Sequence, residues 1–489
     1  MTIHPNRLRV FLPIILLASI FLAFFFYHFG ELLILIEARD YIKYGGWFND
    51  YSSLVKDCLI PSGNNSRYVS MFGFYVMKNS CGYSPICINT FQLAILSLAG
   101  VFLYLHSLQL FKNILMATLI TALWFLSLPA LDAIAWQAVN HDKMAALFVF
   151  ITLFFSTLFV EKNGRFAILL ANVLITLFLI LAYNSKESAF FLMPLILAQY
   201  ALYSTSIKDF GKNLVKLIIP LIFSLYFIIG YFIKLADYWK EHTLSNDIIN
   251  TITVYSNFLL NYYAAFLSVA IVFAIVMIIP FFLIPFNHFK LKKDGIENRA
   301  LNRNLIYSYL FFLLSLVIVI KVKHPSVFYL LIPLAGFLLI IFSSINIILC
   351  HLSNRIYLKG IFVVSLMGLL VFHIYNYSTL FKADFKYAKL LRHSSQLNQT
   401  FSVIADKLPL STNKVYNIFY PASIENSSLI NGDSQISDMT LINFIYEVDG
   451  DYPVKITTYN NVEEVNGMVK EENAYYIIFD KEYNLLKIF

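Results

Sequence analysis

Six polar residues are the ones that hydropathy explains least in this chain: Glu37, Asp40, Asp132, Asp142, Lys186 and Glu187. Each stands at or beside the end of a long apolar run, where an ionisable group is costly unless it is paired or used. Glu37 and Asp40 are one helical turn apart, so on a helix both face the same way. A carboxylate there can take the proton of an acceptor hydroxyl as general base, which requires an ionised group within hydrogen-bond reach. Spacing alone favours a blander alternative, in which Glu37 or Asp40 pairs with Arg39 at the headgroup level. Lys186 beside Glu187 has the same two readings, an interfacial ion pair or an anion contact, and Trp136 reads by itself as an aromatic-belt anchor.

The elements that must hold these residues are membrane helices. The 489 residues are 59% hydrophobic and 13% charged, which excludes an ordinary soluble enzyme of this length. A hydrocarbon core of about 30 Å needs roughly 20 apolar residues per helix, and about eleven such runs occur, centred near residues 20, 98, 122, 151, 174, 196, 225, 273, 312, 338 and 369. The fold class expected is an all-α polytopic membrane protein over residues 1–380, followed by a small α/β domain over 381–489. The first run, Phe11 to Tyr27, reads as an uncleaved anchor, because it is long for a signal peptide and no small-residue cleavage site follows it.

Net charge is +7, but the basic residues cluster in alternate loops (Arg7 and Arg9, Lys112, Lys162 and Arg165, Lys208 to Lys216, Lys290 to Arg303, Arg355 and Lys359). That alternation is a topology signal, predicting a cytoplasmic N-terminus and no nucleic-acid partner. The six polar residues then share the outer face, with a long outer loop at 30–85. Cys58, Cys81 and Cys87 fall in that loop, where a disulfide is expected, for example Cys58 with Cys81, although spacing cannot choose the partners.

From residue 381 onward ten Lys/Arg face fourteen Asp/Glu, so this segment is acidic. Lys386 to Leu408 has a helical period, while Lys414 to Tyr420, Tyr452 to Tyr459 and Ala474 to Phe479 read as strands, with a closing hairpin to Leu485–Phe489. His141 and His242 have no second ligand at i+3 or i+4, so they read as surface residues, and spacing calls for no metal or other cofactor.

Two segments go further. Ser127-Leu-Pro129-Ala-Leu-Asp132-Ala-Ile-Ala-Trp136 with His141-Asp142, and Ser185-Lys186-Glu187 with downstream Pro194, resemble the GT-C superfamily of integral-membrane glycosyltransferases, especially the branch related to protein O-mannosyltransferases. Val327-Phe328-Tyr329-Leu-Leu-Ile-Pro333 is similar to that family's late Arg-Tyr-Leu motif, with Phe328 in place of the arginine, and Leu128 stands where a histidine is usual. The resemblance spans roughly residues 30–340.

It implies transfer of a sugar from a polyprenyl-phosphate donor to an acceptor glycan, such as an O-antigen of lipopolysaccharide, on the periplasmic side of a bacterial inner membrane. On that reading Asp40 is the base with Glu37 second. Lys186, Lys321 and Lys323, with His324 close by, contact the leaving phosphate. Asp132, Trp136, His141, Asp142, Glu187 and Tyr329 shape the substrate site. Two alternatives are a protein O-glycosyltransferase and a flippase for a lipid-linked saccharide, the latter disfavoured because the five runs centred near residues 98 to 196 hold few charges in mid-span.

Overall fold

A computed structural model describes residues 5–29, 67–135, 139–162, 164–242, 295–319, 327–351, 399–421, 453–467, 471–480 and 485–488, with a few single residues between them. Its helices are α1 (Pro5–Phe29), α2 (Tyr68–Cys81), α3 (Pro85–Phe111), α4 (Ile114–Phe125), α5 (Leu128–Ala135), α6 (Asn140–Val160) and α7 (Arg165–Tyr183). A 3-10 turn, Glu187–Phe191, leads into α8 (Leu192–Tyr203), and then come α9 (Ile207–Leu214) and α10 (Ile218–His242). After α11 (Gly295–Val319) a second 3-10 turn, Val327–Leu330, opens α12 (Leu331–His351).

Among the described residues six helices are long and apolar enough to cross a membrane: α3, α6, α7, the continuous α9–α10 run, α11 and α12. The chain is a multi-pass membrane protein. Helices stand at the expected runs near 20, 98, 122, 151, 174, 196, 225, 312 and 338, while those near 273 and 369 lie outside the described residues. The run near 122 is not straight. It is α4 and α5, bent by 52°. Pro129 has no N–H to continue the helix, and the Ser127 hydroxyl fills the break, donating to Trp124 O at 2.7 Å and accepting from Ala130 N at 3.3 Å.

Local signals set the other ends. Ser84 accepts from the Cys87 amide and Pro85 occupies the first position of α3, both favoured at a helix start. Lys112 closes α3 in a left-handed conformation, and Asn113 caps α4 by accepting from Met116 N at 3.2 Å. Lys216, one of the basic residues expected in a loop, is instead buried in a 3-10 turn and donates to Val160 O at 3.1 Å. A cation there complements the negative end of α6.

The helices α6 and α12 occupy the middle of the bundle, with 78% and 83% of their spans buried, against 33% for the α9–α10 span, whose Ile222 and Ile229 point outward. Lipid tails give helices no hydrophobic reason to associate, so small residues and polar bonds set the packing. A Cβ on Gly336 would come within 2.7 Å of the Phe312 backbone nitrogen, so α12 crosses α11 where only glycine fits. Deep in the bundle Tyr307 bonds His106 Nε2 (3.2 Å), Thr157 bonds its Nδ1 (3.1 Å), and Gln199 donates to Thr157 (2.8 Å). Those side chains tie α3, α6, α8 and α11 together.

Residues 399–407 are helical, and four strands follow: β1 (Val415–Pro421), β2 (Val454–Tyr459), β3 (Ala474–Phe479) and β4 (Leu485–Ile488), with α13 (Val462–Asn466) between β2 and β3. The sheet order is β2-β1-β3-β4, parallel except for the β3–β4 pair. Alternation sends Tyr416, Ile418, Tyr475 and Ile477 to one core together with Phe401 and Ile404, and Phe419, Tyr476 and Ile478 to another with Val465. Strand β3 is buried on both faces, which is why Ala474–Phe479 is continuously apolar or aromatic.

Candidate functional site

Four chain segments converge where α2, α6, the 3-10 turn after α7 and the 3-10 turn before α12 meet. The first turn of α6 brings Asn140, His141 and Asp142 inward. The turn after α7 presents Lys186 and Glu187, and the turn before α12 presents Tyr329. Helix α2 is stitched over this corner: Val69 N donates to Asn184 O (3.1 Å), Ser70 Oγ to Ser185 O (2.9 Å), and Asn140 Nδ2 to Ser70 O (3.2 Å). Its close approach depends on Gly73, since a Cβ there would stand 2.8 Å from Asn140 Nδ2.

Two ion pairs lie side by side in this corner. Lys186 Nζ donates to both Asp142 oxygens, at 2.7 and 2.6 Å, and both side chains are more than nine-tenths buried. The same ammonium stands 4.1 Å over the centre of the Tyr329 ring, a cation–π contact. Arg67, directly before α2, forks onto Glu187, Nε to Oε2 at 3.1 Å and Nη2 to Oε1 at 2.5 Å. A bidentate fork of this kind fixes orientation as well as charge.

Burial lowers Lys186 below its ordinary value, opposed by the Asp142 carboxylate. Burial also works against the charge on Arg67, but Glu187 outweighs it, and the guanidinium rises above its usual range. For Glu187, burial alone would raise the carboxyl; Arg67, helped by Lys186, holds it down to about 2.

A small cleft opens beside the first pair, lined by Asp142, Ser188, Ser315 and Tyr329 together with the apolar Val319, Leu331, Ile332 and Pro333. The neighbouring His141 is buried, edge-on to Phe74 at 5.8 Å between ring centres, rather than a surface residue as its sequence context predicts. The cause is α2, whose packing against the start of α6 covers it. Next along α6, buried Lys143 donates to Gln92 of α3.

The structure therefore groups Asp142, Lys186, Glu187 and Tyr329, with His141 adjacent in the chain. Asp132 is buried in α5, which packs against the turn carrying Tyr329. Glu37, Asp40, Trp136, Lys321, Lys323 and His324 lie outside the described residues. Arg67 is the member that the sequence reading missed, and its only local signal is its place directly before the apolar α2. Among the described residues no group of three or more His, Cys, Asp or Glu side chains is placed to hold a metal ion.

The far end of α2 is fixed covalently. Cys81 bonds Cys87 in the first turn of α3, with 5.3 Å between their Cα atoms. The expected example, Cys58 with Cys81, is replaced by this pair because the short turn between α2 and α3 returns the chain on itself.

No family model matches this chain, and no curated protein or solved structure is similar to it.

Proposed function

We propose that this protein is a membrane-embedded glycosyltransferase of the GT-C type, moving a sugar from a polyprenyl-phosphate carrier to an acceptor glycan at the outer face of a bacterial inner membrane. The observation that carries the reading is the buried Asp142–Lys186 pair under Tyr329, set against the Arg67–Glu187 fork at one shared end of the helices. Charges at a helix end in a membrane protein are expensive to bury and mark sites of use. Four of them in one corner, with Asp142 lining a small cleft, are more than helix packing requires.

In this reading the donor's lipid tail lies among the helices and its phosphate sits near the cationic groups. The acceptor hydroxyl oxygen bonds to the anomeric carbon as the bond from that carbon to the phosphate oxygen breaks. The bonding pair leaves with polyprenyl phosphate, and the hydroxyl proton passes to Asp40, with Glu37 beside it. Because Asp142 already holds Lys186 through two bonds, the phosphate shares this ammonium rather than claiming it alone. Arg67 joins Lys321 and Lys323 as a candidate to meet the negative charge as it develops.

The test is sugar transfer by the purified protein in lipid nanodiscs, using radiolabelled polyprenyl-phosphate hexoses and isolated surface glycan. Asp40→Asn is expected to lower the rate about 100-fold or more, the scale of a lost general base. Equal transfer by a correctly inserted Asp40→Asn protein would remove Asp40 from the chemistry. Labelled peptide in place of labelled glycan would make the protein an O-glycosyltransferase of proteins, and movement of intact donor across the bilayer without transfer would make it a flippase.

A further inference from the structure

Two polar groups in the cleft have hydrogen-bonding capacity left over. Asp142 accepts one bond from Lys186 on each oxygen. An ionised carboxylate offers about four lone-pair sites, so each oxygen can accept again. Ser188 also lines the cleft, and its Oγ is buried and has no hydrogen-bond partner among the described residues. A hydroxyl left in that condition is uncommon in a folded protein and marks the seat of a water or a ligand group. The rest of the lining is largely apolar, Val319, Leu331, Ile332 and Pro333 beside Tyr329, and its one other aliphatic hydroxyl, Ser315, already donates to Phe312 O at 3.0 Å.

Size narrows the occupant. The cleft is small, set among the start of α6, the turn carrying Ser188, the end of α11 and the start of α12, and it suits a single hydroxyl or hydroxymethyl group, not a whole sugar ring. We propose that Asp142 and Ser188 together seat one hydroxyl of the transferred sugar, which makes Ser188 a specificity-determining residue; this rests on the glycosyltransferase reading above. The substrate hydroxyl donates a hydrogen bond to an Asp142 oxygen and accepts one from Ser188 Oγ–H. Lys186 keeps Asp142 charged and aimed. Water can serve both partners when the site is empty, but a hydrogen atom in place of the substrate hydroxyl leaves both unpaired, and a site of that kind rejects such an analogue strongly.

The probes are short-chain polyprenyl-phosphate hexoses and their monodeoxy analogues, each lacking one hydroxyl, given to the full-length protein in nanodiscs. The wild type is expected to discriminate against one analogue by about tenfold or more in kcat/KM. Ser188→Ala, which deletes an unpartnered hydroxyl, is expected to retain its Tm and to shrink that preference to about threefold or less, while Ser188→Thr preserves it. Undiminished preference in Ser188→Ala, or transfer by the wild type with no preference among the analogues, overturns the subsite and leaves the enzyme reading standing.

If no analogue or parent sugar is transferred, thermal stabilisation by polyprenyl-phosphate hexose is compared with that by bare polyprenyl phosphate. Sugar-dependent stabilisation that Ser188→Ala loses keeps the subsite and overturns the enzyme reading. No sugar-dependent stabilisation overturns the subsite as well.

Discussion

Asp142 and Lys186 neutralise each other in a buried corner, so the consequence of losing one is set by what happens to the other. Lys186→Ala leaves a buried carboxylate without its partner, and Asp142→Ala leaves a buried ammonium. Either is expected to cost about 3–5 kcal/mol, read as a lowered Tm in detergent. The double replacement Asp142→Leu with Lys186→Met fills the space with apolar atoms and is expected to regain most of that loss while sugar transfer stays abolished. A double variant no more stable than the singles would mean that the corner depends on the pair for its shape.

The Arg67–Glu187 fork behaves differently because its side chains are partly exposed, 36% and 24%, so water screens it. Glu187 is held down to about 2 from an ordinary 4.5. A carboxyl depressed in the folded state contributes stability that is full above its unfolded value and fades as pH falls. Thermal stability is therefore expected to decline between about pH 4.5 and 2, and Glu187→Gln to flatten that part of the profile. Arg67 is raised and contributes no change in this range. Lys186 and Glu187 were visible in the sequence because they sit next to each other at a helix end. Arg67 was not, since its partner is 120 residues away and no local pattern ties the two.

At the scale of elements, α2 is the piece whose placement decides the corner. It is a 14-residue helix, Tyr68–Cys81, within what the sequence shows as a long outer loop. Its N-terminal end is stitched to Asn184 and Ser185, and its C-terminal end is joined to α3 by Cys81–Cys87. The loop closed by this bond is short, so its loss is expected to cost about 2 kcal/mol. Peptide mapping without reductant should find Cys81 joined to Cys87, and Cys87→Ser should lower Tm by a few degrees. A Cys58–Cys81 peptide would contradict the arrangement of α2 and α3.

Helix crossing gives a second prediction at this scale. Gly336→Ala places a methyl group against the Phe312 backbone, where no flexible side chain can yield. It is expected to lower stability by about 1–3 kcal/mol. Glycines of this kind are hard to distinguish in sequence from those that merely fill space, because the approach that requires them belongs to the partner helix.

For the molecule as a whole, the helices fix which charged residues share a face. Helix α3 has 27 residues and spans about 40 Å, so its flanks at Cys81 and Lys112 lie on opposite sides of the bilayer. Single cysteines introduced at Lys112, Lys162 and Lys208 are expected to label from one side with an impermeant thiol reagent. A single cysteine at the exposed Ser80 is expected to label from the other, matching the proposed cytoplasmic N-terminus and outer site. Labelling of Lys112 and Lys208 from opposite sides would break the arrangement.

What the sequence determined by itself was local. Among the described residues, the apolar runs became helices near their expected centres, because backbone groups in a membrane must bond within their own segment. The four strand segments after residue 414 also emerged with nearly their expected limits, since alternation and aromatic content report directly on a pleated, buried surface. The tertiary structure decided everything that depends on partners: the kink between α4 and α5, the choice of Cys87 for Cys81, the burial of His141 beneath α2, and the joining of Arg67 to Glu187. Those outcomes follow from which helix ends meet, and the hydrophobic pattern that builds each helix carries little information about its neighbour when lipid is as apolar as leucine.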